Sequence, residues 1–374
     1  MRVLLHSRAF LPNLGGVEQT TYLLARELTA KGCTVVVATD VPAEPDFDRK
    51  LPFEVLRGRS MTGLARAARR SDLVHASGAS LVSSAVARLG RRPLVVTHHG
   101  YQASCLEGLG WHHGERCDYQ LTRCIALTRK HGGIARAARQ LTRYPLGRAQ
   151  VHLAHANVAV SEFVGRVVGA PRTSIVHDCA DTSVFKPRAG SRERTRLLFL
   201  GRFVGEKGVD TLLRAVAHSW QDGEGVLLDL VGSGPLERAY RSLIDELGIG
   251  DRVRFEGPLR GEPLAEAIRS SIAVVVPSTW DEAFGIVAAE ALSCGRLAIV
   301  SARGGLPEVV EGMDTVVPEG DAAAWAAALN RAAHDAAWRT SQEQRTAAAA
   351  ARFTPDRFVA GYVRVYEKVL GDIT

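Results

Sequence analysis

Short runs of Val, Leu, Ile and Ala without polar alternation recur along the whole chain, separated by stretches of helical periodicity. In the first half these runs are residues 3–7, 34–39, 73–76, 94–97 and 158–161; in the second they are 196–200, 226–231, 253–256, 272–276 and 298–301. Strands buried on both faces read this way, and they belong to parallel sheets covered by helices. Residues 18–30 place Tyr22, Leu23, Ala25 and Leu28 on a helical stripe that stops before Gly32, a residue type suited to a helix C-terminus. The repeated strand–helix–strand order predicts two doubly wound α/β domains. At 185–195, FKPRAGSRERT, proline, glycine and charge replace periodicity just ahead of a new apolar strand, so the boundary is expected there. The expected domains are 1–185 and 186–352, with the carboxyl ends of their strands facing across a cleft, the place where such sheets bind ligands. A last helix, 353–374, begins at Phe353-Thr354-Pro355-Asp356 and carries Phe358, Val359, Tyr362, Val365, Tyr366 and Val369. Pattern alone does not say which domain it joins.

The chain has 374 residues, 46% hydrophobic and 23% charged, which excludes a disordered or fibrous protein. No apolar run approaches the ~18 residues of a membrane span. Met1 to Leu5 lead into His6 and Arg8 rather than a signal-peptide core, so a cytoplasmic protein is expected. The six cysteines, at 33, 105, 117, 124, 179 and 294, are too scattered for a disulfide scaffold. The net charge of +7 is unevenly spread: residues 1–185 hold 24 Lys and Arg against 14 Asp and Glu, residues 186–374 hold 23 against 26. Nucleic acid, anionic lipid headgroups and phosphorylated small molecules all suit a basic first half, and sign alone does not choose among them.

Candidate chemistry concentrates at four turns. In residues 275–295, VVPSTWDEAFGIVAAEALSCG, a buried strand gives way at Pro277 to a polar loop with Asp281 and Glu282, and a helix starts near Gly285. The backbone N–H groups of Gly285, Ile286 and Val287 would then form an anion site, with Glu290 one turn deeper on the face of Ile286. Read singly, Glu282 is a first-turn acid favoured by the helix dipole and Glu290 a solvated helix residue. In residues 201–208, GRFVGEKG, Arg202 and Lys207 stand among Gly201, Gly205 and Gly208 between a strand and a helix, as a diphosphate clamp requires. Gly232-Ser233-Gly234-Pro235 follows the next strand, but Glu237 occupies the place of the third glycine of a dinucleotide fingerprint. Gly15-Gly16-Val17-Glu18 precedes the first helix, too far from the first strand for a tight dinucleotide turn.

Together, GGVE at 15–18, GRFVGEKG at 201–208, GSGP at 232–235 and the pair Glu282 and Glu290 within EAFGIVAAE resemble the retaining GT-B glycosyltransferases of family 4 over essentially the whole chain. The resemblance implies two Rossmann-like domains with a nucleotide-sugar donor in the cleft and a C-terminal helix crossing back to the first domain. It implies that Arg202 and Lys207 hold the donor diphosphate, that Glu290 accepts hydrogen bonds from the ribose, and that Glu282 stands beside the transferred sugar. Backbone N–H groups of Ala283, Phe284, Gly285, Ile286 and Val287 would surround sugar and phosphate, with Gly232 at the neighbouring turn. Gly15 and Gly16 would let the first domain's loop close onto the diphosphate. In Thr97-His98-His99-Gly100 the position matching the family's histidine is His99, with His98 an equally polar neighbour. The implied catalysis is electrostatic: Arg202, Lys207 and a helix N-terminus stabilise charge on the departing nucleoside diphosphate, so no metal and no cofactor is expected in the transfer. Retention could follow same-face attack or a covalent intermediate, for which Glu282 is the obvious carboxylate.

Two segments depart from the family pattern. HDCADTSVF at 177–185 places Asp178 and Cys179 where an Asn-Gly turn is common, which implies an altered turn. Residues 101–150 carry Cys105, His112, His113, Cys117 and Cys124, which are zinc-ligand types without a C-x-x-C knuckle, and three such cysteines in an Ala/Leu-rich helical segment also suit a core. The same segment carries Arg123, Arg129, Lys130, Arg136, Arg139, Arg143 and Arg148; with Arg66, Arg69 and Arg70 these form either a face for anionic membrane or a solvated one. The leading expectation is transfer of a sugar from a UDP- or GDP-type donor to a hydroxyl of a glycan, lipid carrier or small metabolite. An epimerase or hydrolase on the same scaffold, and a nucleic-acid or membrane-binding protein, are the alternatives. The four co-occurring turns favour the enzyme over nucleic-acid binding.

Overall fold

The computed structural model describes all residues except 14, 45, 113, 189–195, 220–224 and 373–374, so His113 and most of the expected linker lie outside the described residues. The chain divides into two units, Met1–Cys179 with Pro355–Thr374, and Ala180–Thr354.

The first unit runs β1 (Arg2–Ser7), α1 (Gly16–Ala30), β2 (Thr34–Thr39), β3 (Glu54–Arg57), α2 (Met61–Arg69), β4 (Leu73–Ser77), α3 (Leu81–Gly90) and β5 (Leu94–His98). It continues with the short strands β6 (Trp111–His112) and β7 (Glu115–Arg116), then α4 (Leu121–Leu153), β8 (Ala156–Ala159), α5 (Glu162–Val168) and β9 (Thr173–Ile175). Seven strands form one parallel sheet in the order β3-β2-β1-β4-β5-β8-β9, and β6 and β7 pair separately as an antiparallel ribbon. Alternate residues of a strand point to opposite faces, and both faces are covered. Val3 and Leu5 pack into one cluster with Leu24 and Leu28 of α1, while Leu4 and Val36 pack into another with Leu64 and Val86 of α2 and α3.

The second unit runs β10 (Arg196–Leu200), α6 (Val209–His218), β11 (Leu227–Val231), α7 (Glu237–Leu247), β12 (Val253–Gly257), α8 (Gly261–Ser270), β13 (Ala273–Val276) and α9 (Ile286–Ser293). It closes with β14 (Leu297–Ser301), α10 (Leu306–Val309), β15 (Val316–Val317), α11 (Ala322–His334) and α12 (Ala336–Ala350). Its six parallel strands are ordered β12-β11-β10-β13-β14-β15. The reversal between β10 and β13 leaves a crevice position at the carboxyl ends of the strands. Among the described residues no helix is long and apolar enough to cross a membrane.

The last helix, α13 (Pro355–Gly371), belongs to the first unit. Phe358, Val359, Tyr362, Val365, Tyr366 and Val369 join the cluster formed by α1 and the sheet. The Tyr362 hydroxyl lies 3.2 Å from Thr97 Oγ1, and the Tyr366 hydroxyl 2.6 Å from His75 Nδ1. Gly361 lets the helix approach: a Cβ there would stand 2.8 Å from Val176 Cγ1.

Most expected strands are present with small shifts; the run 158–161 is observed as Ala156–Ala159. The larger difference concerns residues 101–150. Residues 101–120 are a folded non-helical segment with the β6–β7 ribbon, and only from Leu121 does the chain become helical. Gly108, Gly110 and Gly114 take φ of +76°, +68° and +93°, the left-handed region that ends helical winding.

Candidate functional site

All strands of the second sheet run parallel, so the loops leaving β10, β11, β13 and β14 emerge at one edge. Two of these loops are pressed together. A Cβ on Gly208 would stand 2.0 Å from the Pro277 carbonyl oxygen, and the residue has φ +68°, so only glycine lets the loop after β10 lie on the loop after β13. Gly232 does the same for the loops after β10 and β11: a Cβ would stand 1.9 Å from the Gly201 carbonyl oxygen, at φ +139°.

This packing joins the residues that the sequence singles out. Lys207, at the end of a short 3-10 turn, donates to Glu282 Oε1 at 2.5 Å, and the same oxygen accepts from Ser278 Oγ at 2.6 Å. The Lys207 ammonium also lies 5.5 Å from the Trp280 ring centroid. Burial works to raise the Glu282 carboxyl, but the Lys207 charge and the hydrogen bonds from Lys207 and Ser278 outweigh it and hold the group below the usual carboxylate range. Glu282 is therefore neither a first-turn acid nor a solvated one. It precedes α9 by four residues and is an ionised carboxylate locked to a lysine.

Gly285 precedes α9 with φ +113°, and the first N–H groups of a helix lack partners within it. Ile286 and Val287 thus open α9 next to the Lys207–Glu282 pair in sequence and space. The Phe284 ring turns into the core of the unit, edge-on to Phe353 with centroids 5.2 Å apart, so this residue can offer a ligand only its backbone. One turn into α9, burial and then the neighbouring Asp181 push the Glu290 carboxyl up to about 8. Arg202 is not drawn into this cluster. Its side chain is 74% exposed and lies 3.7 Å from Glu206.

Sequence reasoning missed three contributors. Ser278 and Trp280 lie in the quoted segment but carry no signal until the loop folds back on Lys207. Arg303 follows β14 at the same sheet edge, 3.6 Å from Asp281 and paired with Glu319. A strand end four positions along an ordered parallel sheet was the signal available for it.

In the first unit the two adjacent histidines separate. His98 ends β5 and contacts Asn157 Oδ1 through Nε2 at 3.0 Å, a buried structural contact. His99 places Nε2 3.1 Å from Ser77 Oγ, which in turn lies 2.8 Å from Thr21 Oγ1 of α1, and places Nδ1 4.0 Å from Asp178 Oδ1. Burial and then His98 push the His99 imidazole down to about 4, and burial pushes the Asp178 carboxyl up to about 8. Both are neutral near pH 7, and at 4.0 Å the two are neighbours beyond hydrogen-bond reach. Gly15 and Gly16 open α1, the helix that carries Thr21; a Cβ on Gly15 would stand 2.5 Å from Glu18 Oε2.

Residues 14–183 match the family model described as Glycosyltransferase Family 4, and residues 182–352 match Glycosyl transferases group 1. D-inositol 3-phosphate glycosyltransferase 1 of Catenulispora acidiphila is 30% identical over 363 residues, covering 90% of this chain and 82% of that protein. A D-inositol 3-phosphate glycosyltransferase of Salinispora arenicola is 32% identical over 242 residues, 57% of this chain and 54% of that protein. With that protein and its Mycobacterium counterparts the matched region spans about half of the relative's length. Among solved structures, Anabaena HepE in complex with UDP and glucose matches with a TM-score of 0.75 and 19% identity, over 98% of this chain and 100% of that one. Sucrose-phosphate synthase from Thermosynechococcus elongatus matches with a TM-score of 0.75 and 23% identity, over 99% of each chain. At these identities the likeness shows the fold, two Rossmann-like units of the GT-B type.

Proposed function

The chain belongs to the family 4 glycosyltransferases, and from that premise we propose that it transfers a sugar, with retention, from a UDP- or GDP-type donor to a hydroxyl acceptor. The observation that carries the reading is the Lys207–Glu282 pair beside the start of α9. A donor diphosphate entering there meets a lysine already half desolvated and the N–H groups that open a helix, both positive where the leaving group gains negative charge. Arg202, on its exposed tether, adds a bidentate contact when the donor arrives. Lys207 then exchanges Glu282 for phosphate oxygens, and Glu282 turns its freed acceptor capacity to the sugar hydroxyls. Glu290 takes the ribose. The Ala283–Val287 backbone supplies the remaining donors, and Gly232 keeps the neighbouring turn close.

His99, neutral and held by Ser77, is the first unit's candidate for a hydrogen bond to the transferred sugar, and Gly15 and Gly16 at the start of α1 are its candidates for the diphosphate. The charge stabilisation assigned to Arg202, Lys207 and α9 makes a divalent metal unnecessary for this transfer. Same-face attack, with the leaving phosphate accepting the acceptor's proton, requires no protein nucleophile and leaves Glu282 to hold the sugar hydroxyls. The names of the relatives make D-inositol 3-phosphate the first acceptor to try, and an anionic acceptor suits the basic first half. Ile134 at 75% exposure, Leu146, Arg129, Arg139 and Arg143 are all exposed on α4, which breaks at Gly133, and such exposed apolar and basic side chains offer contacts to anionic lipid and to acceptors presented there.

The test is mass-spectrometric detection of turnover over a panel of UDP-, GDP-, ADP- and TDP-sugars, with no divalent metal added and again with added Mg²⁺, with and without acceptor, for the native protein and Glu290→Ala. Turnover of one donor that Glu290→Ala abolishes, and an anomeric configuration preserved in the product by NMR, support the proposal. Turnover that requires added Mg²⁺ removes the metal-independent element, an inverted product removes retention, and no turnover of any donor overturns the reading.

A further inference from the structure

Among the described residues outside this site, a compact set of metal-ligand atoms lies in the segment that follows His99 and at the start of α4. Cys105, His112, Cys117 and Cys124 are all buried, and one ligand atom from each lies within 4.8 Å of all the others. The sulfurs of Cys105 and Cys117 are 3.5 Å apart, and those of Cys124 and Cys105 are 3.6 Å apart. A disulfide needs about 2.05 Å, so these thiols are not bonded pairs. Four ligands around a zinc ion with Zn–S bonds of about 2.3 Å stand at the corners of a tetrahedron whose edges are about 3.8 Å, close to the separations observed. His112 Nε2 is buried without a hydrogen-bond partner, which is costly for an imidazole packed only as core filler. The Gly110 N–H points at Cys105 Sγ at 3.3 Å, the kind of backbone bond that supports a metal-bound thiolate.

Local structure explains how the four arrive together. Cys105 closes a turn in which its N–H bonds the Tyr101 carbonyl; His112 sits on β6 of the ribbon; Cys117 follows β7 with its N–H on the Gly110 carbonyl; and Cys124 stands in the first turn of α4. The sequence spacing is C-x6-H-x4-C-x6-C, and the three short intervals are bridged by a turn, a ribbon and a helix start rather than by a C-x-x-C knuckle.

We infer that Cys105, His112, Cys117 and Cys124 form a structural site for one zinc ion. All four positions of the tetrahedron come from protein, which leaves none for substrate, so the site is closed and its work is to tie the segment after His99 to α4. Three thiolates and an imidazole select a borderline-soft cation over Mg²⁺ or Ca²⁺.

The test uses the full chain purified under reducing conditions without chelator. Elemental analysis is expected to find one zinc per chain that survives desalting and is lost from the Cys117→Ser, Cys124→Ser double variant, with a lower thermal midpoint once a strong chelator removes it. Because that variant could also lose metal by misfolding, His112→Cys is the second arm. With Co²⁺ in place of zinc, the native protein should show tetrahedral ligand-field bands with thiolate charge transfer, and His112→Cys should keep the metal while its bands shift toward an all-thiolate spectrum. Folded, reduced protein that binds neither Zn²⁺ nor Co²⁺ against a weak chelator overturns the inference. So does metal retained by the double variant, or a cobalt spectrum unchanged by His112→Cys.

Discussion

At the scale of single residues the account turns on charges held away from water. Glu282 keeps its charge because Lys207 and Ser278 face it, so removing the lysine has two effects. Lys207→Ala should lower kcat for donor turnover by about 10²–10³-fold, the usual cost of one fixed group that stabilises the leaving charge. It should also lower stability by up to about 3 kcal/mol, because a buried carboxylate loses its partner. Steady-state kinetics and urea unfolding of the same preparation separate the two. Glu290 makes a pH-dependent claim. Its carboxyl is pushed up to about 8 and is protonated at pH 7, whereas ribose hydroxyls donate to the ionised form. Nucleotide affinity should therefore rise as pH is raised from 6 to 8, and Glu290→Gln should flatten that rise; calorimetric titrations across this range check it. His99 works with the opposite sign on stability. Its imidazole is pushed down to about 4 from an ordinary 6.5, so the unfolded chain takes the proton first. The stability it contributes is complete above pH 6.5 and is lost as pH falls toward 4, by about 3 kcal/mol if burial is complete. Unfolding midpoints at pH 7 and 4.5 should differ less in His99→Gln than in the native protein, with His75 and His98 supplying the remainder.

At the scale of elements, what sequence discloses depends on how fully a strand is buried. β1, β2, β10, β13 and β14 are buried on both faces and stand out as unbroken apolar runs. β3, β9 and β15 lie at sheet edges, are two to four residues long and carry exposed positions such as Glu54 and Ser174, so no pattern marks them. Segment 101–120 looks helical by composition, but its glycines at 108, 110 and 114 were the legible warning. The turns at 201–208 and 275–295 were legible as residue types at spacings; that Lys207 meets Glu282 was not, because it depends on two loops 75 residues apart in sequence being pressed together at Gly208. Gly208→Ala tests that link. Its Cβ collides with the Pro277 carbonyl and its φ is strained, so the variant should lose about 2–4 kcal/mol of stability or donor turnover with it, read by thermal unfolding and kinetics in parallel.

At the scale of the whole molecule the chain end belongs to the first unit. Six apolar side chains of α13 lie in that unit's core, and at ~1.5–3 kcal/mol for each fully buried one they exceed the margin by which a typical domain is folded. Sequence left the destination of this helix open because an apolar stripe fits any sheet; the choice is made by Tyr362 on Thr97, Tyr366 on His75 and Gly361 against Val176. The charge asymmetry was legible, yet its effect is softened by pairing that only the fold reveals: Lys130 with Glu115, and Arg136 with Glu107, both on exposed faces. The central claim remains the one about the second unit, that Lys207, Glu282, Glu290 and the start of α9 form a nucleoside-diphosphate site. Calorimetric titration of UDP and GDP into the native protein, Lys207→Ala and Glu290→Ala tests it most directly. The account predicts one-to-one binding of one of the two nucleotides, weakened at least about tenfold by either substitution; folded native protein that binds neither, or binding that both substitutions leave unchanged, would contradict it.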